Sequence, residues 1–336
     1  MTSTARGLSI LILPVWGMAA DYFGATRRVL MLALGVSLII LLTFPLTETY
    51  QIIFIILVIF ILFEGPIVSL SDALVLNHLG SQGELYGTFR FWGSLGYMLA
   101  VTPIGLVIEQ TGARNLFYIA AGIMLLALIN AWKLPGGKEV FSVSRIRDFK
   151  MILRNKSLFF FLLFTFSLQA PLMVHFTFFP IFFTAQGGGE TLFGLALLLG
   201  AASELIIFQK STFFLRKIKL PVVLLISALC FSLRWSIIGL FPVITVLLLS
   251  QLLNSLTFAL FHVTAVNYIS RLVGADFQAT GQNLYASTIA ISSVVGSLLG
   301  GMAYDAWGGS RMYLVGGLFS LIAGLVYFYQ QKFSQA

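Results

Sequence analysis

In this chain of 336 residues hydrophobic side chains make up 59% and charged ones 10%, far short of the quarter or so of Asp, Glu, Lys and Arg that keeps a globular domain in water. The formal net charge of +8 is spread in short clusters between apolar runs, a pattern that argues against a nucleic-acid-binding face and for orientation in a membrane. Cys230 is the single cysteine, which excludes an intramolecular disulfide and a paired-thiolate metal site.

A helix crosses a bilayer with about 20 mainly apolar residues. By that ruler the first stretch, 7–20, is short. Spans follow over 29–46, 51–78, 86–108 and 114–132, then, after a polar connection, over 158–184, 191–211, 220–240, 243–270, 280–304 and 312–330. This predicts an all-α polytopic membrane protein with eleven spans, the first incomplete. The runs are apolar on every face, which excludes a β-barrel, whose strands alternate. Arg6, the apolar residues 8–16 and the small residues Ala19 and Ala20 also resemble a cleavable signal peptide.

The connection 133–157 carries Lys133, Lys138, Arg145, Arg147, Lys150, Arg154 and Lys156 against Glu139 and Asp148. By the positive-inside rule this linker is predicted to be cytoplasmic. Alternation outward from it puts Arg27, Arg28, Lys210, Arg216, Lys217, Lys219, Arg271 and Lys332, and with it the C-terminus, on the same side. The domains expected are a bundle over 1–132, the basic linker 133–157 and a six-helix bundle over 158–336.

Three helix ends share one pattern. Gly17, Asp21, Gly24 and Arg27 match Gly301, Asp305, Gly308 and Arg311 position for position, and Gly105, Glu109, Gly112 and Arg114 differ by one residue. Glycines let two helix ends approach, while the acid and the arginine bond each other or the exposed termini. The copies at Gly105 and Gly301 are 196 residues apart, and the same step from Gly17 reaches Phe213, where another span ends at the basic run Arg216, Lys217, Lys219. The halves therefore read as duplicates. The counterpart of 158–184 falls before residue 1, so the first helix of the fold is expected to be missing. The repeat also argues that 7–20 is a helix end and not a removable leader.

The turn from Gly17 through Asp21 and Gly24 to Arg27 and Arg28 resembles the signature between the second and third helices of the major facilitator superfamily. Tyr22 stands where a basic residue is usual, and the arginine pair is displaced by two. Ser71-Asp72-Ala73-Leu74, Tyr86 to Ser94, Ser203 to Phe208, Leu225 to Ala228, Arg234-Trp235 and His262 to Ile269 are similar to the phenylpropionate permease branch, relatives of lactose permease. The resemblance runs from residue 7 onward. It implies two pseudo-symmetric helical bundles around a cavity and proton-coupled symport of a small organic solute, from the aromatic acids, sugars or nucleosides.

An ionisable group at bilayer depth is costly and marks a functional candidate. Glu204 lies about 18 Å and Arg234 about 21 Å from the cytoplasmic ends of their helices at 1.5 Å per residue, so the two can meet near the midplane, as a proton-linked pair or as a static one that only fixes packing. Asp72 and Arg90, nearer the cytoplasmic side, are candidates for a gate or for water-facing helix ends. Glu64 precedes Gly65-Pro66, a helix break, and either binds proton or solute or is buried in packing. His262 is a candidate proton relay or a neutral core histidine. Relatives of lactose permease carry a coupling glutamate on this helix, where Thr257 aligns. Gln169, His175, Asn254, Asn267 and Asn283 are cavity-lining candidates or interhelical glue, and Trp92 and Trp235 can stack on a ring-bearing solute or on the neighbouring guanidinium.

No acidic metal cluster, nucleophile elbow, HExxH or nucleotide loop stands in the sequence. No enzyme activity, cofactor or metal is therefore expected, and the partners predicted are a small solute, protons and lipid, with no nucleic acid. The reading is a monomeric, multi-pass cell-membrane transporter working by alternating access. The competing reading is an inactive truncated transporter or a transporter-derived membrane sensor.

Overall fold

The computed structural model describes residues 2–112, 114–134, 152 and 154–334, and among them the chain is helical almost throughout, with no strand. The elements are α1 (Thr2–Tyr22), α2 (Thr26–Thr43), α3 (Tyr50–Glu64), α4 (Pro66–Leu79), α5 (Tyr86–Thr111), α6 (Asn115–Lys133), α7 (Lys156–Ala185), α8 (Glu190–Lys217), α9 (Leu220–Leu240), α10 (Ile244–Ser250), α11 (Leu260–Val273) and α12 (Gln278–Ser334). Eight stretches of the described residues are long and apolar enough to cross a membrane. Two of them, Tyr50–Ala100 and Ala275–Gln330, are long enough for two passes. Lys138, Arg145, Arg147 and Lys150 of the basic linker lie outside the described residues.

The predicted span 51–78 breaks where Pro66 removes a backbone donor, leaving α3 and α4 on either side of Gly65. The predicted span 243–270 departs from expectation. It is a short α10, a 3-10 turn over Gln251–Leu253, a π turn over Ser255–Ala259 and then α11. Gln251, Asn254 and Thr257 lie in this irregular stretch.

The second glycine of every copy of the repeat is left-handed: φ is 61° at Gly24, 87° at Gly112 and 78° at Gly308. Side chains with a Cβ rarely adopt that conformation, so glycine there ends one helix and turns the chain into the next. At Gly308 it divides α12 into arms over 278–307 and 309–334.

Two compact units account for the chain. The first comprises Met1–Gly80, Leu99–Asn155 and Ile269–Ala290, with Ala20, Leu30, Leu34, Leu70, Ala73, Ala131 and Ala279 at its core. Alanines at those contacts let helices approach, since apolar lipid supplies no drive to bury larger side chains. A Cβ on Gly17 would stand 2.6 Å from the Ala279 carbonyl oxygen, so only glycine lets α1 lie against the start of α12.

The second unit comprises Ser81–Met98, Lys156–Tyr268 and Ile291–Ala336. Within it both arms of α12 pack on α7. Gly296 abuts Ala170 and Gly300 abuts Val174, so the first arm runs parallel to α7. Tyr313 meets His175 and Tyr327 stacks on Phe164 at 4.2 Å, so the second arm runs back.

Candidate functional site

The centre of the second unit is polar. Arg234, two thirds along α9, is 1% exposed. Its Nη1 donates to Asn254 Oδ1 at 2.8 Å and to Thr257 Oγ1 at 3.0 Å, and its Nη2 donates to Gln251 Oε1 at 2.9 Å. All three acceptors come from the irregular stretch between α10 and α11. In a 3-10 turn residues i and i+3 eclipse, which puts Gln251 and Asn254 in line toward the guanidinium. The ring of Trp235 lies 5.0 Å from the guanidinium carbon, and Trp235 is itself fully enclosed. Of the two partners expected for this tryptophan, the guanidinium is adjacent to it.

Glu204, half-way along α8, does not pair directly with Arg234. The Asn254 carboxamide stands between them. Asn254 Nδ2 donates to Glu204 Oε1 at 2.6 Å, and Ser94 Oγ of α5 donates to Oε2 at 3.3 Å. The expected ion pair is thus a relay of one anion, one amide and one cation. A buried charge must find hydrogen-bond partners, and here neutral side chains supply them on both sides.

The α5 face continues outward from Ser94. Arg90 is one turn away, with its Nε buried and unbonded and an Nη1 curled to 3.0 Å from where a Cβ on Gly93 would stand. One turn further, the Tyr86 hydroxyl lies 3.3 Å from His262 Nε2, and the His262 ring stacks on Phe258. His262 is therefore a buried, bonded histidine beside the relay. On the far side of Trp235, His175 Nδ1 lies 3.0 Å from the Tyr313 hydroxyl. Gln169 is buried with its Nε2 unbonded, whereas Trp92 is 69% exposed and meets Phe91 edge-on. Asn267 donates to the Val263 carbonyl of its own helix.

The first unit holds the other candidates. Asp21 is buried and accepts the backbone N–H of Ala279 at 3.1 Å and of Thr280 at 2.6 Å, the first turn of α12. Arg27 Nη1 donates to the Leu134 carbonyl, and Arg28 lies at the start of α2. Asn283 bonds Ser69 across α4 and α12 at 2.9 Å, which makes it interhelical glue. Asp72 is half-buried on α4, in the first unit, while Arg90 belongs to the second. Glu64 is the last, half-buried residue of α3. Among the described residues no cluster of His, Cys, Asp and Glu is placed to hold a metal.

Gln251 and Ser94 are partners in the relay that were not singled out from sequence. The available signal was the spacing Gln251, Asn254, Thr257, three polar residues at steps of three inside an apolar run. Thr257, at the place aligned with a coupling glutamate, instead accepts from Arg234.

A profile of the MFS_1 like family matches residues 2–315. The chain belongs to this family of major facilitator transporters. Maltose permease of Geobacillus stearothermophilus is 27% identical to the transporter over 93% of this chain and 80% of its own length. A "Probable 3-phenylpropionic acid transporter" of Escherichia coli (strain K12) is 29% identical over 65% of this chain and 58% of its own length. The crystal structure of the human organic anion transporter MFSD10 superposes with a TM-score of 0.81 at 17% identity, covering 97% of this chain and 82% of that one, a likeness of fold. The transporter is a multi-pass membrane protein and not an enzyme.

Proposed function

We propose that the transporter carries a small organic solute together with a proton, and that Glu204 is the group that loads the proton. The observation that carries this is the setting of Glu204: a carboxylate half-way along a membrane-spanning helix, held by Ser94 and Asn254 and by no direct cation. A proton can join such a group without breaking an ion pair, whereas a carboxylate locked to an arginine must first give up its partner. Relatives named as a maltose permease and a probable 3-phenylpropionic acid transporter point to sugars and aromatic acids as the solute classes to try, with nucleosides beside them.

In this reading the bundles are 1–132 and 158–336, joined by the cytoplasmic linker 133–157, with the C-terminus also cytoplasmic in the plasma or inner membrane. Fifteen of the twenty Lys and Arg residues fall on that one side, which supports the orientation. The protein works as a monomer, by alternating access. The test is uptake of labelled maltose, 3-phenylpropionate and uridine into proteoliposomes under an inward proton gradient. Accumulation that a protonophore abolishes supports symport. Accumulation that survives the protonophore contradicts it.

A further inference from the structure

Asn254 joins an anion and a cation of the second unit through a neutral group. A carboxylate only accepts and a guanidinium only donates. An amide can bond both at once in a single orientation, with its oxygen toward Arg234 and its nitrogen toward Glu204, as the contacts of 2.8 Å and 2.6 Å require. Asn254 also stands at the junction between the 3-10 turn and the π turn, and its neighbours three residues to either side, Gln251 and Thr257, bind the same guanidinium. A π turn inside an α-helical run is often found at functional sites, and here Thr257 within it and Gln251 and Asn254 just before it all bond one arginine.

We propose that Asn254 is the positioning residue through which the state of the Glu204 carboxyl reaches Arg234 and the irregular turn around it. This rests on the reading of Glu204 as the proton-loading group. When a proton from the aqueous phase joins the carboxylate, one O–H bond forms, no other covalent bond changes, and the side chain passes from charge −1 to zero. The bond from Asn254 then loses its charge assistance, which roughly halves its strength. A proton on Oε1 goes further and sets donor against donor, so the amide must turn away or let go. Either change alters what Arg234 meets, and with it the tether on the 3-10 and π turns. The other titratable groups near the relay are Arg90 on α5, which together with Arg234 acts on Glu204 electrostatically, His175 on α7 with Tyr313 on α12, and His262 on α11 turned to Tyr86.

Trp235 lies against the guanidinium and reports on it. The experiment uses the full chain in lipid vesicles with Trp16, Trp92, Trp132 and Trp307 replaced by Phe, and follows Trp235 emission and the infrared carboxyl band through a pH titration without any solute. In the parent, both signals should change together, and Glu204→Gln should remove both. Asn254→Leu should keep the carboxyl band and lose the emission step. Asn254→Ala, which adds neither bulk nor a titratable group, guards against failure of the leucine variant to fold. Its emission trace should be the same whether residue 204 is Glu or Gln. If emission in the Asn254 variants still follows residue 204 as in the parent, direct electrostatics carries the signal and the relay is overturned. A carboxyl band that Glu204→Gln leaves untouched overturns the proton-loading role of Glu204 and the relay with it.

Discussion

The carboxylate of Asp21 accepts the backbone N–H of Thr280 at 2.6 Å, joining the end of α1 to the first turn of α12 across more than 250 residues of chain. A helix N-terminus carries unsatisfied donors and a partial positive charge, so an ionised acid is the side chain that suits it. Asp21→Asn should lower stability by about 1 kcal/mol through loss of the charge, and Asp21→Ala by about 2 kcal/mol through loss of the cap itself. Faster hydrogen exchange at the Ala279 and Thr280 amides checks that the effect is local.

Gly17 and Gly35 make a matched pair. A Cβ on Gly17 would fall 2.6 Å from the Ala279 carbonyl and 2.9 Å from Asn283, while one on Gly35 meets nothing within 4 Å. Gly17→Ala should therefore cost about 1–3 kcal/mol as an overpacking change. Gly35→Ala, in the interior of α2, should be neutral or stabilise by up to about 1 kcal/mol. Thermal unfolding of the two purified variants in one detergent decides the comparison.

Arg234 should tolerate neither removal nor shortening. Arg234→Met leaves Gln251, Asn254 and Thr257 with buried acceptors unpaired, at a cost of about 3–5 kcal/mol. Arg234→Lys keeps the charge but lacks the planar fork that reaches three acceptors at once, and should lie in between. Glu204→Gln should be nearly neutral for folding, because the amide oxygen still accepts from Asn254 and the amide nitrogen can donate to the Ser94 hydroxyl, which accepts as well as donates. Unfolding midpoints in the order parent, Glu204→Gln, Arg234→Lys, Arg234→Met are expected, and equal midpoints for parent and Arg234→Met would contradict the geometry.

The Glu84–Arg216 pair is the opposite case. Its N···O distance is 3.0 Å, but Arg216 is 59% exposed, so screening leaves it worth roughly 0.2–1 kcal/mol. Glu84→Gln should change stability by no more than that, and the charge-reversed double variant should recover part of it at low salt. A loss of several kcal/mol would show that the site is drier than its exposure indicates.

Much of this is legible in the sequence. The spans were readable because a bilayer demands long apolar runs, and Glu204 and Arg234 because a charge inside such a run is conspicuous. Gly17, Asp21 and Gly24 were readable because the pattern recurs and because a left-handed turn accepts glycine almost alone. The break of the predicted span 243–270 into 3-10 and π turns was not readable. On a regular helix Gln251, Asn254 and Thr257 already share one flank, so their spacing does not reveal that the backbone shifts to bring all three to one guanidinium. Nor does composition separate Trp235, sealed under Arg234, from Trp92, which is exposed. Both are tryptophans next to an arginine or one residue removed from it, and only the packing of neighbouring helices tells them apart.

The most direct test of Glu204 as the proton-loading group compares two modes of transport in the same proteoliposomes, once uptake has identified the solute. Exchange of solute against solute needs no net proton movement, whereas accumulation against a gradient does. Glu204→Gln should retain exchange and lose proton-driven accumulation. Accumulation equal to that of the parent, or the loss of exchange together with accumulation, would contradict the account.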